Sequence, residues 1–145
     1  MGAAETRNNP LVLADPSPED VGFLEDRLYE FNVEATGIRD GKGLGVFVRD
    51  AAGAILAAAA GHTWGGTAEL KQVWVHRTLR GQGLGRELVA AAEAEARRRG
   101  CVQLVLSTHR FQAPGFYRKL GYEAIAEMPD YPRGHGQLWM RKRLR

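Results

Sequence analysis

Apolar residues recur at helical spacing twice along the chain, with strand-like alternation between and after. Val21, Leu24, Leu28, Phe31 and Ala35 mark one face of a helix. Ser17-Pro18-Glu19-Asp20 reads as its start, with Ser17 the N-cap, Pro18 the first helical residue and Asp20 the acidic group at the third position. Thr36-Gly37 ends it. Ahead of this helix, Leu11-Val12-Leu13 is a short strand candidate, and behind it Gly41, Gly43 and Gly45 lie without period, which predicts a mobile loop. Residues 44–49, 55–62 and 68–76 then read as three strands. Asp50-Ala51-Ala52-Gly53 and Gly65-Gly66 are tight turns between them, so the three are antiparallel. Residues 83–99 return to helical spacing through Leu84, Leu88, Ala92 and Ala96, and Gly100 stops the helix. Residues 102–106 form a continuous apolar run suited to a buried strand. Residues 113–120 predict a short helix with Pro114 in its first turn and Gly121 after it. Two last strands, 122–128 and 137–144, flank a turn-rich segment. The order is a mixed α/β fold whose mid-chain strand, helix and strand make a right-handed crossover.

Composition narrows the class without changing that picture. At 145 residues the chain has the size of one domain, residues 1–145, with 1–9 as a flexible tail. The 44% hydrophobic and 26% charged residues are ordinary for a globular protein. No apolar run reaches the roughly 20 residues that span a bilayer, and the polar start does not read as a signal peptide. The single cysteine, Cys101, has apolar neighbours and reads as a core thiol. A cytoplasmic, bacterial protein is expected. The net charge of +3 invites a nucleic-acid reading. However, much of the excess is local, in Arg97 to Arg99 and in Arg141, Lys142, Arg143 and Arg145. The first cluster closes a helix, where cations suit the dipole, and Glu93–Arg97 and Glu95–Arg99 have i,i+4 spacing.

The segment Arg80-Gly81-Gln82-Gly83-Leu84-Gly85 carries the chemistry. Three glycines strip side chains from a turn just ahead of a helix, so bare N–H groups can approach a ligand. The helix adds unpaired N–H groups and about half a positive charge there. Together they suit a phosphate or diphosphate, and Arg80 adds a planar donor. A Walker loop would need Gly-Lys-Ser/Thr where Arg86-Glu87 stands, and a dinucleotide fingerprint would need glycine at Arg86.

With the strand before it and the helices after it, this loop resembles that of the GCN5-related N-acetyltransferase (GNAT) superfamily. Arg80 to Gly85 fits the family's (Gln/Arg)-x-x-Gly-x-(Gly/Ala) loop, and Phe116-Tyr117-Arg118-Lys119-Leu120-Gly121-Tyr122 fits its second hallmark, the Phe-Tyr-x-Lys-x-Gly-(Phe/Tyr) helix. Phe111-Gln112-Ala113-Pro114-Gly115 and Asp130-Tyr131-Pro132-Arg133-Gly134-His135 look like a bacterial branch with poorly defined substrates. The resemblance implies a mostly antiparallel sheet of about six to seven strands flanked by helices, with a V-shaped splay between two central parallel strands. It implies acetyl-CoA as cosubstrate and an amine, of a small molecule or a protein, as acceptor. The amine attacks the thioester directly in a ternary complex.

The implied roles fall on named residues. The diphosphate would sit on the N–H groups of Arg80, Gly81, Gln82, Gly83, Leu84, Gly85 and Arg86, with Phe116 in the second motif. The pantetheine arm would add as an extra strand beside Val73 and Val75, and an N–H near Val75 would stabilise the oxyanion. Tyr117 matches the general acid that protonates the departing thiolate. Glu69 is the first candidate base, placed by alternation on one face with Lys71, Val73 and Val75. His109, Asp130, His135 and a water relay stay open. Arg110 stands where the family often has asparagine, so Gln112 is the nearby amide. The scattered histidines His62, His76, His109 and His135 predict no metal. The acceptor pocket would draw on residues 25–43 and 129–136, with Tyr29, Trp64, Trp74 and Tyr131 as candidate lining. No nucleic-acid or membrane partner is expected, and an edge strand at 137–144 would suit a homodimer. A non-catalytic acyl-CoA-binding or sensing domain is the alternative; it needs the loop but neither Tyr117 nor Glu69.

Overall fold

The computed structural model describes residues 8–145, so most of the expected flexible tail lies outside the described residues. The chain divides into two compact units, one ending at Gly37 and the other Ile38–Arg145.

The first unit holds helix α1 (Pro18–Thr36). Its start is the expected one, extended to a full capping box. Asp20 N–H donates to Ser17 Oγ, and Ser17 N–H donates to Asp20 Oδ2, both at 3.1 Å. At the other end Gly37 takes φ 73°, and its N–H donates to the Val33 carbonyl. Residues 11–13 form no strand and are exposed. Three apolar residues gain ladder bonds only beside a partner, and none pairs with them among the described residues.

The second unit is built on strands β1 (Lys42–Arg49), β2 (Ile55–Trp64), β3 (Thr67–Val75), β4 (Gln103–His109), β5 (Glu123–Pro129) and β6 (Gly136–Arg143). They form one sheet in the order β1-β2-β3-β4-β6-β5. Every pairing is antiparallel except β3 with β4. The first three strands are the expected meander. Gly53 turns at φ 88°, and Gly65 and Gly66 turn at φ 58° and 85°. β1 begins earlier than expected, so Gly43 and Gly45 lie inside a strand rather than in a mobile loop. The ladder to β2 supplies their order, and a side chain on Gly45 would run into the Phe47 ring. The segment 137–144 is not an edge either: β6 lies between β4 and β5, leaving β1 and β5 as the edges.

Helix α2 (Leu84–Arg98) packs over β1, β2 and β3, and the short helix α3 (Pro114–Lys119) follows β4. Leu88, Val89, Ala92 and Ala96 of α2 are buried with Leu44, Ala57, Ala59, Leu70, Leu104 and Leu106 of the sheet. Each such leucine contributes roughly 1.5–3 kcal/mol. The alanine run of β2 supplies small residues, Ala57 and Ala59, on the face buried in this core. Cys101 is buried as expected, and desolvation raises its thiol pKa.

The basic clusters are mostly tied into the fold. Arg99 donates to Glu95 Oε1 at 2.8 Å, and also to Gly43 O and Thr63 Oγ1. Arg97 donates to Leu144 O. Glu93 departs from its expected pairing with Arg97. It is 5% exposed and lies 2.6 Å from Lys142 Nζ, with the Tyr122 hydroxyl donating to it at 3.4 Å. A carboxylate on the buried face of α2 meets the sheet before it can meet its own helix neighbour.

Two irregularities shape the middle of the sheet. Ala60 pairs with Gln72 and Gly61 with Leu70, so Lys71 is an extra, unpaired residue on β3. Side-chain alternation reverses across it: Ala68 and Leu70 are buried before the bulge, whereas Val73 and Val75 pack on the same core after it. Glu69 therefore does not share a face with Val73 and Val75. Gly61 permits the bulge, because a Cβ there would come within 1.8 Å of the Glu69 carbonyl oxygen. Next, β3 and β4 pair only from Thr67↔Gln103 to Leu70↔Leu106. Beyond that point β3 stays with β2 and β4 stays with β6, each held by an antiparallel ladder, and the two part.

Candidate active site in the splayed sheet

The glycine loop sits where β3 hands over to α2. A short 3-10 helix, Arg77–Leu79, leaves β3, and His76 caps it by accepting the Thr78 N–H at Nδ1. That bond leaves the ring proton on Nε2 in the neutral form. Gly81 and Gly83 then take φ 77° and 82°, a conformation open to glycine at little cost. Gly83 is the N-cap of α2 and offers no side-chain acceptor. Among the described residues, the N–H groups of residues 81–86 meet no protein acceptor. A Cβ on Gly81 or Gly83 would meet nothing within 4 Å, so access and backbone conformation, rather than packing, call for glycine. Gly85 differs, since a Cβ there would press on the Phe116 ring at 3.3 Å.

Two cavities open from this loop. One, of about 540 Å³, runs over the loop and the start of α2 and takes in Leu79, Arg86 and Lys119. The other, of about 730 Å³, lies in the splay and takes in Lys71, Ser107, Thr108, Phe111 and Gln112. Val73, Trp74, Val75, Arg80, Ala113 and Tyr117 line both, which makes one continuous groove. Its charged side chains are all cationic: Lys71, Arg80, Arg86 and Lys119. His76 N–H bonds Leu56 O on β2, so by alternation the N–H and C=O groups of Val75 and Val73 point to the opened side. The Val75 carbonyl there accepts from Arg80 Nε at 3.0 Å.

Most of the residues expected to hold the cosubstrate or to act as acid and first base meet in this groove, but two of them do not. The alternative bases His109, Asp130 and His135 and the candidate lining residues Trp64 and Tyr131 also line neither cavity. Gln82 lines neither cavity; its amide reaches back to Thr78 O at 3.5 Å. Glu69 lines neither and instead pairs with His62 across the strands, at 3.5 Å between Nε2 and Oε2. Tyr117 belongs to both cavities, is 7% exposed and stands edge-on to Phe116 and Tyr122. Burial raises its pKa, so the phenol keeps its proton. Gln112 turns its carbonyl oxygen onto the His109 N–H at 2.8 Å, and among the described residues its Nε2 donors meet no acceptor.

The segment after β4 closes the far wall. Arg110 grips Glu127 with two donors, which raises the arginine pKa and lowers that of the carboxyl. His109 is stacked between Phe111 and Tyr131, and its Nδ1 donates to Tyr131 O at 2.8 Å. His135 stands edge-on to Phe111. Asp130, at φ 55°, accepts from the Gly134 N–H. Trp64 donates to Ile38 O, and Trp74 is 46% exposed in the groove. Sequence reasoning gave Lys71, Lys119 and Phe111 no site role. Lys119 stands inside the Phe-Tyr motif, which could have flagged it, but only the bulge reveals Lys71. Among the described residues, no group of three or more His, Cys, Asp or Glu is placed to hold a metal, and no helix is long and apolar enough to cross a membrane.

Comparison with known proteins bears on this groove. The family model for the acetyltransferase (GNAT) family matches residues 11–122. Blasticidin-S acetyltransferase of Streptomyces morookaense is 51% identical over 63 residues, which is 43% of this chain and 46% of that protein. The acetyltransferase Atu2258 of Agrobacterium fabrum is 29% identical over 83% of this chain and 88% of its own length. The crystal structure of a proposed acetyltransferase from Agrobacterium tumefaciens superposes with a TM-score of 0.83 at 27% identity, covering 93% of this chain and 98% of that one.

Proposed function

The chain belongs to the acetyltransferase (GNAT) family, and on that premise we propose that its groove binds acetyl-CoA and passes the acetyl group to an amine by direct attack in a ternary complex. The observation that carries this reading is the run of N–H groups, residues 81–86, that lack a protein acceptor at the mouth of a groove continuing between the parted strands. The residues fit the cosubstrate. Gly81 and Gly83 clear the approach to the N–H cradle, and Arg86 and Lys119 supply cations beside it. Val73 and Val75 offer strand-like donors and acceptors to an amide-bearing arm. When bound, acetyl-CoA supplies an activated acyl carbon whose bond to sulfur breaks as the bond to nitrogen forms.

The protein's own groups then hold charge and move protons. A backbone N–H near Val75 bonds the carbonyl oxygen more strongly as negative charge gathers there. Tyr117 keeps its proton until sulfur departs with a lone pair, and then donates it. The acceptor ammonium, with a pKa of about 10.4 for an alkylamine, loses one proton through an intervening water to Glu69, which lines neither cavity. The second proton, freed as the C–N bond forms, passes to solvent. Glu69 is one step below the apex of the splay and is steadied by His62. Glu69→Gln is expected to lower kcat/KM by about 10²-fold; an unchanged rate would pass the role to His109, Asp130, His135 or water. The reading takes residues 1–145 as one cytoplasmic N-acetyltransferase domain, and the blasticidin-S relative favours a small-molecule acceptor.

Incubation with acetyl-CoA and a mixed amine panel, following free thiol, tests the reading. Amine-dependent thiol release is expected. Saturable acetyl-CoA binding without turnover would replace the enzyme with a sensing domain, and absence of binding would remove both.

A further inference from the structure

Acyl transfer leaves one charged group of the groove without a task. Lys71 is the bulge residue of β3, set outside the ladder because Gln72 pairs with Ala60 and Leu70 with Gly61. It is exposed, lines the cavity of about 730 Å³, and makes no ion pair or hydrogen bond among the described residues. The other cation of that cavity, Arg80, is committed to the Val75 carbonyl. Arg86 and Lys119, which suit phosphate groups, belong to the cavity over the glycine loop instead. No carboxylate lines either cavity: Glu69 is paired with His62, and Glu127 is held by Arg110. Apolar surface accompanies Lys71, since Trp74 and Phe111 line the same cavity at 46% and 57% exposure.

From this juxtaposition of a free ammonium, two open rings and no opposing acid, we infer that Lys71 is a specificity residue and that the acceptor is a small amine carrying a carboxylate on an apolar or aromatic body. The ammonium of Lys71 pairs with the acceptor carboxylate, and Trp74 and Phe111 cover its body. The same charge repels polycationic amines, so the device selects by repulsion as well as by attraction. The inference rests on the acyl-transfer reading.

The test compares matched acceptors on the full chain with acetyl-CoA: phenylalanine, phenylalaninamide, phenethylamine and spermidine. Wild type is expected to favour phenylalanine over its amide by about tenfold or more in kcat/KM, the scale of one charge-assisted hydrogen bond. Lys71→Met should abolish that preference through KM, and Lys71→Glu should reverse it toward phenethylamine and spermidine. Calorimetric titration with acetyl-CoA should give the same affinity in all three proteins. A carboxylate preference that is absent in wild type, or that survives Lys71→Met, overturns the inference. So does acetyl-CoA binding with no turnover of phenylalanine. Failure of wild type to bind acetyl-CoA at all overturns the acyl-transfer reading instead.

Discussion

The Tyr117 side chain sits between two rings and two cavities, and water reaches little of it. Burial disfavours a phenolate more than a phenol, so its pKa lies above the ordinary value of about 10. The sign matters for its role. Below the raised pKa the group is protonated, so it serves as an acid throughout the neutral range and adds no basic limb to the rate until the pH passes about 10. Tyr117→Phe is expected to lower kcat by roughly 10²–10⁴ without changing the shape of the pH profile through the neutral range. A kcat profile from pH 6 to 10 reads both effects, and an unaltered rate would reduce Tyr117 to packing. The tyrosine could be found from its motif, but its protonation could not, because desolvation depends on neighbours contributed by other elements.

At the scale of elements, local chemistry announced itself well. Ser17 and Asp20 form their capping box, Gly37, Gly53, Gly65 and Gly66 turn the chain where expected, and α2 buries the predicted face. Alternation misled only on β3, where Lys71 drops out of the ladder and reverses every side chain after it. Nothing in Glu69-Leu70-Lys71-Gln72 advertises a bulge; the signal is Gly61, on another strand, whose missing Cβ makes room for the Glu69 carbonyl. Gly61→Ala should therefore cost at least about 1–3 kcal/mol of stability. It should also disturb the acceptor side of the groove, raising acceptor KM more than acetyl-CoA Kd. Denaturant unfolding and paired kinetics check this, and a wild-type midpoint would show that the strands can close up without the bulge.

For the whole molecule, the groove is a binding site only if occupying it stabilises the fold. Acetyl-CoA at about 100 times its Kd should add about 2.7 kcal/mol, or about 5–10 °C in Tm for a domain of this size. Gly83→Glu should erase that shift, because its carboxylate would face the diphosphate across the N–H cradle. The variant carries a strain penalty of its own, since Gly83 sits at φ 82°. Each protein is therefore compared with its own ligand-free Tm in a thermal-shift titration. A full shift in the variant would remove the glycine loop from the binding site.

The amino-acid sequence by itself determined the loop and most of the elements, though not the fate of residues 11–13 or the start of β1. Helix caps, turns and hydrophobic periods act over a few residues, and glycines at 81, 83 and 85 strip side chains wherever the chain runs. Only the tertiary structure decided where β3 and β4 part, which face Glu69 takes, that Glu93 meets Lys142, and that Lys71 leaves the ladder and lines the groove. Those outcomes depend on register between strands distant in sequence and on competition among several neighbours for one side chain, and no local pattern encodes either.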